Sequence, residues 1–148
     1  MQLNGNVLTS QQVGPKILWL KNNRPDVYAK TNKIVNGTGF INFKLTGNYT
    51  IDHFSAAFVS PLYDINKQAW SNELNDGIID LEKLPKLVWT NEIIGEISKS
   101  ASIETGLAEG TTVTSGTIDA AAEAISVGVF SAGDMMTVSY THLTLPTT

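Results

Sequence analysis

The stretch GTIDAAAEAISVG, Gly116 to Gly128, sets one carboxylate, Asp119, between a Thr- and Val-rich run and a helix of small residues. TTVTSGTID, from Thr111, reads as a strand because β-branched residues suit a pleated, half-buried surface, and AAAEAISVGV reads as a helix whose alanines permit close packing. Asp119 at that boundary has two readings. It can cap the helix by accepting hydrogen bonds from unpaired first-turn N–H groups, a role worth about 1 kcal/mol. It can also serve a ligand, since the C-terminal ends of strands in α/β sheets are where ligands bind. A carboxylate there can take the proton of a hydroxyl that attacks a phosphoryl group, and a positioned base contributes about 10²- to 10⁴-fold. Spacing alone favours the cap. Glu123 follows one turn later on the same face, as a packing neighbour.

Working outward, the rest of the chain alternates helices and strands. Pro15 opens a helix through KILWLKNN with Ile17, Leu18, Trp19 and Leu20 as apolar faces, and Pro25 opens a second through DVYAKTN. FINFKLTG predicts a third, with Phe40, Ile41, Phe43 and Leu45 inward and Gly47 closing it. NYTID is extended, and SAAFV is ambiguous between helix and strand. YDINKQAWSNEL predicts a loop and then a helix around Trp70 to Leu74, and DLEKLPKLV a short helix stopped at Pro85. EIIGEI is a short strand, and SKSASIETGL a helix ended by Gly106. The alternation places the chain in the α/β class.

Composition narrows the function. The 148 residues make about one domain, large enough to bury a core, with 42% hydrophobic and 16% charged residues, an ordinary globular balance. Fourteen acids against ten bases leave a net charge of -4, which gives no electrostatic reason to expect nucleic acid or an anionic membrane as a partner. The densest basic group, Lys16, Lys21, Arg24, Lys30 and Lys33, reads as a solvated helix face. With no cysteine, disulfides, thiolate metal sites and a cysteine nucleophile are excluded. No apolar run approaches the roughly 20 residues that span a bilayer, and MQLNGNVLTSQQ lacks a signal-peptide pattern, so a cytoplasmic protein is expected.

Few residues carry chemistry. His53 and His142 share no recognisable metal-ligand spacing, and His53 reads as a partly exposed or hydrogen-bonded side chain. No Gly-x-Ser-x-Gly elbow, GxxxxGK[ST] phosphate loop or GxGxxG fingerprint occurs. The last eleven residues, VSYTHLTLPTT from Val138, match one reading frame of a transposase mosaic-end sequencing adaptor. Residues 1–137 are therefore expected to be the native segment and 138–148 a translated scar, to be left out of fold reasoning.

The segments VGPKILWLKNNRPDVYAKTNKIV, FINFKLTGNYTIDHFSAAFVSPLYD, QAWSNEL, ETGLAEGTTVTSGTIDAAAEAISVGV and AGDMM, in this order and spacing, resemble the FGGY carbohydrate kinases, most closely the xylulokinase-like members. The resemblance implies part of a ribonuclease H-like, actin-like ATPase domain, in a protein that transfers the γ-phosphate of ATP, with Mg²⁺, to a sugar hydroxyl. A ketopentose such as xylulose is the implied partner. The family's G-x-x-D motif falls on Gly116, Thr117, Ile118 and Asp119, which makes Asp119 the general base. Ala120 stands where several xylulokinases carry a substrate-holding asparagine. Ala121, Ala122 and Gly128 match a closely packed helix behind the site. TGNYTIDHFSAA resembles T-G-x-x-x-T-D-x-S-x-A, with Ile51 in place of threonine and Ser55 one place beyond the motif's serine, and Asp52 and Ser55 are read as architectural, satisfying buried backbone groups. The family's glycine-rich phosphate loop, its magnesium-linked aspartate and its second domain have no counterpart in these residues. The expectation is thus an inactive piece holding the base without ATP or Mg²⁺; the alternative is a non-catalytic α/β binding module.

Overall fold

A computed structural model describes residues 9, 10 and 12–137. The chain divides into two compact units, Met1–Ile118 and Asp119–Thr148. In the larger unit, α1 (Val13–Asn23) and α2 (Pro25–Lys30) meet at Arg24, whose N–H closes α1 on the Leu20 carbonyl while Pro25 starts α2. Proline suits that first position because no helical partner exists there for an N–H. Ile17 and Tyr28 turn into the core, but Leu18 and Trp19 do not: Trp19 is 60% exposed. Nor is the basic group one solvated face. Lys21 Nζ donates to the Gly77 carbonyl at 2.7 Å, and Lys33, beyond α2, donates to the carbonyls of Glu82 and Leu84. These lysines tie α1 and the loop after α2 to the chain some 50 residues downstream.

Helix α3 (Gly37–Thr46) has both ends marked in the sequence. The Asn36 side chain accepts from the Gly39 N–H at 2.8 Å, and Gly47 adopts φ 80°, a left-handed cap that costs glycine little. Its inward face differs from the expected one. Phe40 and Ile41 are each more than half exposed, while Gly39 and Asn42 are buried. A close approach decides this: a Cβ on Gly39 would lie 2.7 Å from the Thr50 carbonyl, so only the smallest residue lets α3 lie on the next strand.

That strand, β1 (Thr50–Asp52), is buried at all three positions. The short helix α4 (His53–Ala57) follows at once, which resolves the ambiguous SAAFV run. Next comes a hairpin of β2 (Tyr63–Asp64) and β3 (Ala69–Trp70), with Asp64 Oδ1 accepting from the N–H groups of Asn66 and Lys67 across the turn. Trp70 thus belongs to a strand. The predicted helix starts two residues later as α5 (Asn72–Asn75), because Ser71 caps it. A 3-10 turn, Leu81–Lys83, ends before Pro85 as expected, and beyond it β4 (Lys86–Val88) pairs in parallel with β1, Ile51 opposite Leu87. Ile17, Tyr28, Ile51, Leu62, Tyr63 and Leu84 belong to the core that gathers around this pair.

Strand β5 (Ile93–Glu96) pairs antiparallel with β6 (Thr112–Thr114), with an irregularity between Ile93 and Gly95. Between them lies α6 (Lys99–Thr105), capped by Ser98 and ended by Gly106 at φ 77°. The class is mixed α/β, as expected, but the described strands form three two-stranded sheets. In the smaller unit, α7 (Asp119–Ser126) ends near Gly128 at φ 86°, and the Asp134 carboxylate collects the N–H groups of Phe130 and Ser131. No residue of α7 is buried. His142 and the tail from Val138 lie outside the described residues.

Candidate functional site

Strand β6 stops at Thr114, so four residues, Ser115 to Ile118, separate it from Asp119. The predicted strand reaching Asp119 is cut short because Gly116 adopts φ 67°, outside the β region. These residues are nonetheless tethered. The Ser115 N–H donates to the Glu92 carbonyl and the Gly116 N–H to the Thr90 carbonyl, each at 3.1 Å. The buried amide of Asn42 donates to the Ser115 carbonyl at 2.9 Å and lies 3.3 Å from Thr50 Oγ1. Thr117 Oγ1 donates to Asp52 Oδ2 at 2.7 Å.

Asp52 is 1% exposed and gathers four donors. Besides Thr117, its carboxylate accepts from the Phe54 N–H at 3.1 Å, the Ser55 N–H at 3.3 Å and the Ser55 hydroxyl. The two N–H bonds cap α4, the architectural role read from the sequence. A buried carboxylate costs several kcal/mol unless it is paired or hydrogen-bonded, and here donors compensate it without an ion pair to a described cation. The bond from Thr117, 65 residues on, carried no sequence signal.

Asp119 itself is exposed at the first residue of α7, with Oδ1 accepting from the Ala120 N–H at 2.7 Å. It therefore satisfies one first-turn donor, and its charge suits the positive end of the helix dipole. Ala120 and Glu123 are exposed as well. His53 is the hydrogen-bonded residue the sequence suggested. Its Nδ1 is 2.7 Å from the Tyr63 hydroxyl, and its ring lies 4.3 Å from that of Trp89. Burial, and then the charge of neighbouring Asp64, pushes the Tyr63 phenol up from its ordinary range, so this pair holds a neutral phenol at physiological pH.

Residues 1–126 match the FGGY family of carbohydrate kinases, N-terminal domain. The chain belongs to the FGGY carbohydrate kinases. Among curated relatives of this FGGY chain, the xylulose kinase of Lactococcus lactis is 33% identical over 133 residues, covering 88% of this chain and 26% of that protein. The autoinducer-2 kinase of an Enterobacter species is 30% identical over 120 residues, covering 80% of this chain and 22% of the relative. The crystal structure of xylulose kinase from Rhodospirillum rubrum superimposes with a TM-score of 0.83 at 26% identity, over 89% of this chain and 27% of that one. The FGGY chain thus spans about a quarter of the length of the relatives it matches. Its fold is part of the actin-like ATPase domain of these sugar kinases.

FGGY kinases use ATP, with magnesium, and act on sugars. Among the described residues no group of three or more His, Asp or Glu side chains comes together. Asp119 stands apart from any such set. Among the described residues no helix is long and apolar enough to cross a membrane.

Proposed function

We propose that this chain, residues 1–137, is a segment of an ATP-dependent carbohydrate kinase of the cytoplasm that phosphorylates a sugar hydroxyl, with Asp119 as the general base. A ketopentose such as xylulose is the substrate we favour, supported by the names of the relatives. We read residues 138–148 as non-native. The observation that carries the reading is Asp119 of the G-x-x-D motif, an exposed carboxylate two residues beyond a side chain bonded into the protein interior.

An exposed carboxylate can accept the sugar's hydroxyl proton as the oxygen attacks. Ala120 lines the same turn but offers only a methyl group and a backbone N–H, which already donates to Asp119. Substrate grip must come from side chains elsewhere in the longer protein. The phosphoryl donor and its metal are likewise held outside these residues, so the chain by itself is inactive.

In the full-length gene, Asp119→Ala is expected to lower ATP-dependent ketopentose phosphorylation by roughly 10²- to 10⁴-fold with an unchanged circular dichroism spectrum. Full activity in the variant would overturn the base assignment. Magnesium-dependent ATP turnover by the purified 148-residue chain, above a blank, would overturn the proposed inactivity.

A further inference from the structure

We propose that Asp52 and Thr117 form a latch that positions Asp119, an inference that rests on the reading of Asp119 as base. Helix α4 is five residues long, and its cap requires only the bonds from the Phe54 and Ser55 N–H groups. The third donor to Asp52 Oδ2, the Thr117 hydroxyl at 2.7 Å, adds nothing to that cap. It does fix a different piece of chain. Thr117 and Asp52 both belong to the larger unit, and only Ile118 lies between Thr117 and Asp119.

The geometry favours a latch over an incidental contact for three reasons. First, the acceptor is immobile: Asp52 is 1% exposed, at the end of a strand buried at every position. Second, the acceptor is a carboxylate, and hydrogen bonds to a charged acceptor are roughly twice as strong as neutral ones. Third, the two residues before Thr117 are held as well, Ser115 by Asn42 and Gly116 by the Thr90 carbonyl, yet Gly116 at φ 67° is a residue with wide conformational freedom. Without the Thr117 bond, only the apolar seating of Ile118 among Val13, Ile34 and Ile51 restrains the chain beyond Gly116 from pivoting. With it, the threonine's stiff χ1 passes the position of Asp52 directly to the backbone two residues before the base.

Three extended residues reach roughly 10 Å, so a pivot at Gly116 displaces the carboxylate by ångströms. Misplacement by about 1 Å is enough to cost roughly 100-fold in rate. Asp52 and Thr117 are therefore positioning residues: neither meets the sugar, and both act through where Asp119 stands.

The test uses the full-length kinase carrying this segment, with Thr117→Val, Thr117→Ser and Asp119→Asn. Valine keeps the shape and removes the hydroxyl. Thr117→Val is expected to lower kcat roughly 10- to 100-fold with the KM for ATP and sugar within about threefold, and Thr117→Ser to recover most of the loss. An unchanged kcat in Thr117→Val, or no recovery in Thr117→Ser, overturns the latch. A second readout needs no catalysis: in the 148-residue chain, Thr117→Val should speed amide hydrogen exchange at Ser115 and Gly116, whose N–H groups bond the Glu92 and Thr90 carbonyls, by about tenfold or more while leaving Leu62 and Val88 unchanged. Equal exchange at these two amides, or faster exchange everywhere, overturns it as well. The two failures are distinguishable. Activity retained in Asp119→Asn removes the base; activity lost there but kept in Thr117→Val removes only the latch.

Discussion

Gly14→Ala sets two effects of opposite sign against each other, and the structure decides between them. Gly14 is the second residue of α1, where helix propensity alone predicts that alanine stabilises by up to about 1 kcal/mol. A Cβ there would lie 2.5 Å from the Ser60 carbonyl oxygen and 2.6 Å from Pro61 Cδ, about 0.9 Å inside the 3.4 Å of an ordinary contact. Neither neighbour is the free end of a flexible side chain, and Ser60 is fully buried. The start of α1 must therefore retreat, which strains the Gly14 N–H bond to the Ser60 carbonyl, now 2.9 Å. Overpacking of this kind costs about 1–3 kcal/mol and a weakened hydrogen bond about 1 kcal/mol more. A further penalty arises because residue 15 is proline, whose Cδ disfavours a helical conformation for any preceding residue with a Cβ. The net expectation is a loss of about 2 kcal/mol. Urea unfolding followed by tryptophan fluorescence, at a slope of about 2 kcal/mol/M, should show the midpoint falling by about 1 M with the slope unchanged. Gly37→Ala serves as the control, since nothing lies within 4 Å of a Cβ there. A midpoint for Gly14→Ala at or above that of the wild type would refute the argument from close approach.

Two other stability changes follow from side chains already described. Asn42→Ala strands the Ser115 carbonyl and empties a buried site, which should cost about 2 kcal/mol in the same urea assay. The Lys67 N–H, then the Asn66 N–H and the Lys67 ammonium at 3.6 Å, hold the buried Asp64 carboxyl below the usual carboxylate range, against a burial effect that raises it. Its folded pKa is thus lower than its unfolded one of about 3.9, so its stabilisation is complete above that value and is lost as pH falls through it toward the folded pKa. The stability gap between wild type and Asp64→Asn should therefore hold steady above about pH 5 and narrow as pH falls from there toward about pH 2, and a gap constant across that fall would count against the assignment.

The helices were legible where their ends are local chemistry. Pro25 at the start of α2 and the glycines Gly47 and Gly106 in left-handed caps each act within one turn of the residue that signals them. The two-residue strands β2 and β3 were not legible, because so short a run carries no measurable alternation. The inward face of α3 was misread for a different reason. Phe40 and Ile41 are the more apolar residues, but the helix lies so close to β1 that glycine and a hydrogen-bonding amide fit there, while large rings do not.

What the sequence determined by itself is the α/β class, the family and the candidate base: the segments that carry the resemblance keep their order and spacing, and Asp119 stands in the motif GTID. Only the tertiary structure decided the parallel pairing of β1 with β4, the inward turn of Asn42 and the bond that ties Thr117 to Asp52. Each of these joins residues more than 30 positions apart, and caps, periodicity and propensity act only between near neighbours. That separation is why Asp52 read in the sequence only as an architectural residue satisfying backbone groups, while the folded chain also brings it the Thr117 hydroxyl from 65 residues away.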